Sequence, residues 1–152
     1  MPHPLVQQSL GAILSLVPSS LFYLSARPFT AGRSIERAVA WAQSMQDRRF
    51  GTTLGLAGED VRDTAQIARA AILYQLLFET TASLDVSADV AVKLSHFGVF
   101  YRRGRSIACD SLVQEYGIAK LQKLALTAHA YRIRLWIDAE SLMSRELTWK
   151  IV

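Results

Sequence analysis

The sequence predicts an α/β fold whose parallel strands form part of a (βα)8 TIM-type barrel, preceded by amino-terminal helices. Apolar stripes with helical spacing alternate along the chain with short runs that have the two-residue period of strands. This alternation favours a parallel sheet with right-handed crossovers. In each of the three strand-like runs, the large aliphatic side chains occupy one face only.

The chain is long enough for one modest domain with a real core. It has 152 residues, a net charge of +4 and 51% apolar residues. Cys109 is the only cysteine, which excludes an internal disulfide and a cysteine zinc site. No residues show metal-site spacing, and no internal repeat stands out. The basic cluster at 102–105 lacks the dense stripe and interleaved aromatic residues of a nucleic-acid surface, so we expect a solvated loop and no nucleic-acid partner.

The amino-terminal segment is free of charged residues. Residues 2–26 contain no Asp, Glu, Lys or Arg. A secretory signal would begin with a positively charged region, which this segment lacks. A membrane span requires about 20 apolar residues in a run, and polar residues interrupt this one. We therefore interpret 1–30 as a helical segment, with an amphipathic helix near 5–16 that packs on the domain; peripheral contact with a membrane is the alternative. The first βα units occupy 31–152.

The first helix and strand of the domain follow a turn that contains Pro28 and Gly32. Ser34 is a good N-cap residue, and the helix behind it carries one apolar stripe. The stripe consists of Ile35, Ala38, Val39, Ala42 and Met45. In the strand that follows, 52–57, the two leucines share one face. The opposite face carries Thr53, Gly55 and Ala57.

The second helix and strand repeat this pattern. Asp60 is the predicted N-cap of the helix. Its apolar stripe consists of Val61, Ala65, Ala68, Ile72 and Leu76. In the strand, 89–95, Val90, Val92 and Leu94 share one face and Lys93 lies on the other. His96 follows the strand and is predicted to be a polar loop histidine rather than a catalytic one.

The third helix and strand come after a longer connection. The stretch 100–117 is predicted to be a loop insertion, and the helix stripe behind it consists of Ile118, Leu121, Ala125 and Ala128. The strand, 133–138, has three aliphatic residues on one face and ends in Asp138 on the other. A further helix is predicted to begin at 141.

The one-sided strands favour a barrel over a doubly wound sheet. A central strand of a doubly wound sheet is covered by helices on both faces and is apolar throughout, whereas a barrel has helices outside and a mixed interior. Lys93 and Asp138 would then point into the interior near the carboxyl ends of neighbouring strands, where such folds place their chemistry. At this point a functional pair and a structural ion pair are equally good interpretations.

Three segments, in order, carry a family resemblance. "RPFTAGRSIERAVAWAQSMQDRRFGTTLGLAGE", "VAVKLSHFG" and "RLWIDAE" resemble the opening segments of proline dehydrogenases, from about residue 27 onward. The resemblance implies a distorted (βα)8 barrel that holds FAD and oxidises L-proline to pyrroline-5-carboxylate by hydride transfer, with a membrane quinone as electron acceptor. We expect a cytoplasmic protein; a peripheral location at the bacterial inner membrane and a location on the mitochondrial matrix side are the alternatives.

The resemblance assigns roles to four residues. Lys93 matches the lysine that binds the proline carboxylate, and Asp138 matches the active-site, catalytic aspartate. Ala139 matches a neighbour whose backbone lies near the flavin, and Glu59 matches a glutamate that helps close the substrate site. Gly55 departs from the family, which usually carries an aspartate at that position.

The chain is shorter than a complete barrel, which needs about 250 residues. We therefore expect it to be the amino-terminal half of such an enzyme. Two functions remain open: one wall of a proline-oxidising flavoenzyme, or a non-catalytic remnant that serves as an interaction module. Either needs a complementing chain or a homo-oligomer to cover the open third strand.

Overall fold

The architecture is described from a computed structural model, which places residues 30–58, 61–99 and 111–138. The chain divides into two compact units, Met1–Ser34 and Ile35–Val152. The second unit holds every element described below. In chain order these are α1 (Ile35–Asp47), β1 (Thr52–Gly55), α2 (Thr64–Ser83), β2 (Ala88–Lys93), a 3₁₀ turn (Leu94–Phe97), α3 (Ser111–Ala130) and β3 (Leu135–Asp138). The predicted helices near 5–16 and from 141 lie outside the described residues.

The three strands form one parallel sheet in the order β1-β2-β3. Gly55 is level with Ala91 across the first pair, and Lys93 is level with Asp138 across the second. The predicted α/β class and the three adjacent parallel strands are therefore confirmed, although each strand is shorter than predicted. Closure into a barrel stays a prediction, because the described residues form only this small sheet.

One face of the sheet carries the core. Leu54, Val90 and Val92 are buried on it, together with buried side chains from all three helices. On the opposite face Trp136 is 50% exposed, and Thr53 and Asp138 are exposed as well. The alternation of buried and half-buried residues along β2 is what a strand with helices on one side requires. The predicted division of the strand faces is confirmed.

The first helix buries the predicted stripe, but the second does not. In α1, Val39 and Ala42 are buried. In α2 the buried residues are Ile67, Tyr74, Leu77, Phe78 and Thr81. Ile72 and Leu76, assigned to the buried stripe from sequence, are 64% and 41% exposed. The segment 71–78 is apolar nearly all round, and the face with the two aromatic rings buries more area than the aliphatic one.

The N-cap predicted for α2 is also wrong. The helix begins at Thr64, and the Asp63 side chain accepts a hydrogen bond of 2.8 Å from the Gln66 backbone N–H. The Gln66 side chain accepts in turn from the backbone N–H of Arg62 at 3.4 Å. An Asp followed three residues later by Gln is a capping-box pattern, and it sits one turn beyond the predicted start.

The third helix begins earlier than predicted. Residues 111–117, assigned to a loop insertion, form its first two turns, and 100–110 lie outside the described residues. Gly117 is buried within this helix, and a Cβ there would lie 1.8 Å from the carbonyl oxygen of Phe97. Only glycine lets α3 approach the 3₁₀ turn this closely, which explains a residue that otherwise weakens a helix.

The three helix-to-strand connections are built alike. Each has four residues, and the second of them has a left-handed backbone: Arg49 (φ 65°), Asp85 (φ 52°) and Arg132 (φ 58°). The next residue donates its backbone N–H to a carbonyl five positions back, as in Phe50 to Met45, Val86 to Thr81 and Ile133 to Ala128. This is the 6→1 bond of a Schellman motif. Because none of the three left-handed residues is a glycine, the fold imposes this turn against local preference.

No helix among the described residues is long and apolar enough to cross a membrane.

The left-handed arginine in the last connection gives a prediction about stability. A residue with a Cβ pays about 1–2 kcal/mol for this backbone conformation, and glycine avoids that cost while gaining freedom in the unfolded chain. Arg132→Gly should therefore raise the free energy of unfolding by up to about 1 kcal/mol, or a few degrees in Tm. Ala130→Gly, two residues earlier in the helix, should instead lower it by about 1 kcal/mol. Thermal and urea unfolding of both variants would measure this; two changes of the same sign would contradict it.

Candidate functional site

The exposed sheet face, called the open face below, carries its side chains in three rows. The amino-terminal row consists of Thr53, Asp89 and Arg134; the middle row of Gly55, Ala91 and Trp136; the carboxyl-terminal row of Lys93 and Asp138. Residues in a row lie on neighbouring strands, which are about 4.8 Å apart. Lys93 and Asp138, the two residues of this sheet with a predicted role, therefore lie on adjacent strands.

The structure brings Lys93 and Asp138 together as predicted. They are register partners at the last positions of β2 and β3 and so lie side by side on the open face. Lys93 is half-buried and Asp138 is exposed. An ammonium and a carboxylate at the carboxyl ends of adjacent parallel strands can together bind a small zwitterion or a carboxylate ligand. Glu59 and Ala139, the other two predicted site residues, lie outside the described residues.

Gly55 and Ala91, the β1 and β2 members of the middle row, leave the sheet surface flat there. Gly55 has no side chain, and a Cβ built there would lie 3.3 Å from the carbonyl oxygen of Ala91. Ala91 itself projects a single methyl group. Beside Lys93, the open face therefore has a floor of backbone and methyl surface on which a planar group could lie, bounded on the β3 side by the Trp136 indole.

The amino-terminal row holds a polar cluster that the sequence analysis missed. The Trp136 indole N–H donates to Asp89 Oδ2 at 2.8 Å, and the Arg134 guanidinium lies 3.4 Å from the same oxygen. The guanidinium carbon is also 5.8 Å from the centre of the Trp136 ring. The two-residue period places all three residues on the open face, but their contact follows only once the β2–β3 register is known.

His96 is buried rather than part of a polar loop, so that prediction is wrong. It is 4% exposed and lies in the 3₁₀ turn after β2. Its Nδ1 is 2.9 Å from the Tyr74 hydroxyl, and its Nε2 is 2.8 Å from the carbonyl oxygen of Gly58. A carbonyl can only accept, so we assign the proton to Nε2, and Nδ1 then accepts from the tyrosine hydroxyl. A neutral imidazole satisfies both bonds.

The 3₁₀ turn after β2 bonds to the backbone of Gly58 and of Val61. The carbonyl of Gly58 accepts from His96, and the backbone N–H of Val61 donates to the Ser95 carbonyl at 3.1 Å. Gly58 has φ 131°, and a Cβ there would lie 3.3 Å from the His96 ring. Two bonds to the 3₁₀ turn therefore hold Gly58 and Val61 at the carboxyl end of the sheet.

A groove separate from Lys93 and Asp138 includes Asp89 and Arg134 in its lining. It has a volume of about 690 Å³ and lies at the opposite, amino-terminal end of β2 and β3, between the ends of α2 and α3. Within the described ranges, no group of three or more His, Cys, Asp or Glu residues could hold a metal ion.

Comparison of the chain with protein-family models and with curated proteins finds no match.

The buried pair of Tyr74 and His96 gives a prediction about stability. Tyr74→Phe removes the hydroxyl that His96 Nδ1 accepts from, so it should lower the free energy of unfolding by about 1–3 kcal/mol. Tyr131→Phe, on an exposed ring, should change it by less than about 0.5 kcal/mol. Urea unfolding of the two variants provides the comparison. Equal, small effects would show that the hydrogen bond contributes nothing.

Proposed function

We propose that this chain forms one wall of a proline dehydrogenase-like flavoenzyme, which oxidises L-proline to pyrroline-5-carboxylate with hydride transfer to FAD. The observation that carries the proposal is the pairing of Lys93 with Asp138 at the carboxyl ends of adjacent parallel strands. The family resemblance assigns substrate and active-site roles to these same two positions. A quinone would be the final electron acceptor.

The strand order of the sheet and its single helix-covered face support the interpretation as part of a barrel. Sequential strand order with helices packed on a single face is the arrangement of a (βα)8 barrel, in which the other face lines the interior. A doubly wound sheet reverses its strand order so that helices cover both faces. Further strands added beside β3 would curve around the open face and enclose it.

The open face also has room for a flavin. Gly55 and Ala91 form a floor without side chains large enough to obstruct a planar ring. The family aspartate that Gly55 replaces would occupy part of this floor. FAD, when bound, supplies the hydride acceptor, and the backbone near Ala139 is the predicted contact to it.

Lys93 and Asp138 would divide the remaining tasks. Proline arrives as a zwitterion, and its carboxylate needs a fixed cation to hold the ring against the flavin. Lys93 provides that cation as a point charge on a flexible stem. Asp138 balances this charge and orders the site. It need not act as a strong base, because the substrate loses a hydride to the cofactor.

The second candidate is an interaction module without catalysis. It is favoured by the exposure of Trp136, at 50%, in the middle of a face where enzymes of this shape have substrate and cofactor. Large aromatic residues on an exposed surface are typical of protein contacts. Flavin retention and proline oxidation by a completed barrel, tested below with a grafted chain, distinguish the two candidates.

The chain alone is expected to be inactive. A single wall cannot enclose a flavin ring or exclude water from it. The purified 152-residue protein should bind FAD weakly or not at all and should not oxidise proline. Flavin absorbance after desalting and dye-linked proline oxidation measure both properties. Oxidation above the rate of a Lys93→Ala control would contradict the expectation.

Completing the barrel should reveal the roles of the pair. With residues 31–152 grafted onto the second half of an active relative, Lys93→Met should raise KM for proline by about tenfold or more, since one charge-assisted contact is lost. Asp138→Asn should lower kcat more than it raises KM, and both variants should retain flavin.

The matched controls are Lys123→Met and Asp47→Asn, which remove the same charges from exposed positions on α3 and α1. Both should leave kcat and KM unchanged. An Asp138→Asn variant with unchanged turnover, or a Lys93→Met variant with unchanged KM, would remove the pair from the proposed function.

A further inference from the structure

The four charged residues of the open face follow an alternating order. Along β2 an acid, Asp89, precedes a base, Lys93, by four residues. At β3 a base, Arg134, which immediately precedes the strand, comes before an acid, Asp138, by the same four residues. Each charge therefore has an opposite charge both across the strands and along its own strand, and the four sum to zero.

This order makes the open face complementary to itself. We infer that the open face binds a second copy of the chain, face to face and with the strands of the two sheets antiparallel. The two-fold axis would run along the middle row, perpendicular to the strands. Asp89 then faces the partner's Lys93, Arg134 faces the partner's Asp138, and Trp136 faces its own copy.

The charges disfavour a two-fold axis that runs parallel to the strands and is centred on β2. With the axis parallel to the strands, β2 would lie over its own copy in the same direction, and Asp89 would face the partner's Asp89. Lys93 would likewise face the partner's Lys93. Like charges brought together in an interface are unfavourable, so this axis is disfavoured. An axis parallel to the strands but between β2 and β3 would also bring opposite charges together, Asp89 with the partner's Arg134 and Lys93 with the partner's Asp138. The mixing experiment below distinguishes that arrangement, because there the two reversed chains would still meet like charges.

The geometry of stacked sheets tolerates these pairs. Sheets pack about 10 Å apart, with strand directions about 30° from alignment. The charged rows lie two residues, or about 7 Å, from the axis, so this rotation displaces facing residues by about 3.5 Å. Lysine and arginine side chains are long enough to span such an offset. Gly55 and Ala91 leave space in the middle row for the two indole rings.

Three short strands give a small interface. Contacts below about 1,200 Å² are typical of weak, transient complexes, so we expect a micromolar dissociation constant. The burial of Trp136 would supply the apolar centre, and the charge pairs would supply orientation. Because the charges contribute, raising the salt concentration should weaken the dimer.

The dimer goes beyond the proposed function and competes with it, since the same face would line the site of a completed barrel. The two proposals fail separately: the first is tested by activity of a grafted barrel, and the second by the mass of the 152-residue chain.

The test is a pair of charge reversals combined in one sample. Asp138→Lys places two positive charges opposite each other at both ends of the interface, and Arg134→Glu does the same with negative charges. Each variant alone should be monomeric in sedimentation equilibrium at concentrations where the wild-type chain dimerises. Mixed together they should form a heterodimer, because the lysine introduced into one chain meets the glutamate introduced into the other. The second contact of the heterodimer keeps its natural pair, Arg134 with the partner's Asp138.

The mixture also shows that both variants are folded, since an unfolded chain would not restore binding. Lys123→Glu, a reversal on the exposed surface of α3, serves as the control and should dimerise like the wild type. A wild-type chain that stays monomeric at millimolar concentration would overturn the inference. So would an Asp138→Lys variant that dimerises as strongly as the wild type, or a mixture that stays monomeric.

Discussion

The alternation of apolar and polar residues in β2 is the constraint on which the rest of the described structure depends. Val90 and Val92 are fully buried between the sheet and the helices, while Asp89 and Lys93 lie on the opposite face. A shift of one residue in the pairing would move both charges into the core. Burying an unpaired charge costs several kcal/mol. Because β2 is the central strand, this penalty fixes the register of both neighbours at once.

The sheet could be predicted from the sequence because a two-residue period is a local pattern, and a strand has only two faces of which one is buried. The buried side of β2 and of β3 follows from a few aliphatic residues in each. The second helix could not be predicted equally well, because an apolar run such as 71–78 offers more than one face for burial. The large rings of Tyr74 and Phe78 decide the outcome, and their partners come from elements distant in the chain.

The candidate site was predictable only where it depends on strand period. Lys93 and Asp138 become neighbours once both strands are aligned at their carboxyl ends. The burial and the hydrogen bonds of His96 were not predictable, because its partners, Tyr74 and Gly58, are 22 and 38 residues away in sequence. The same applies to Gly117, whose role appears only where α3 meets the carbonyl of Phe97. The roles assigned to Glu59 and Ala139 stay predictions.

The two ends of the sheet differ in how freely the chain can vary there. The three helix-to-strand connections have the same length and the same left-handed turn, whereas the two strand-to-helix connections have eight and 17 residues. A turn of fixed length sets the angle between each helix and the strand that follows it. A residue added at this end would therefore change the orientation of the whole strand. At the other end, added residues leave both flanking elements in place. Changes in length during evolution would therefore accumulate beside Lys93 and Asp138. There they can reshape a ligand site while the helices and strands keep their relative orientation.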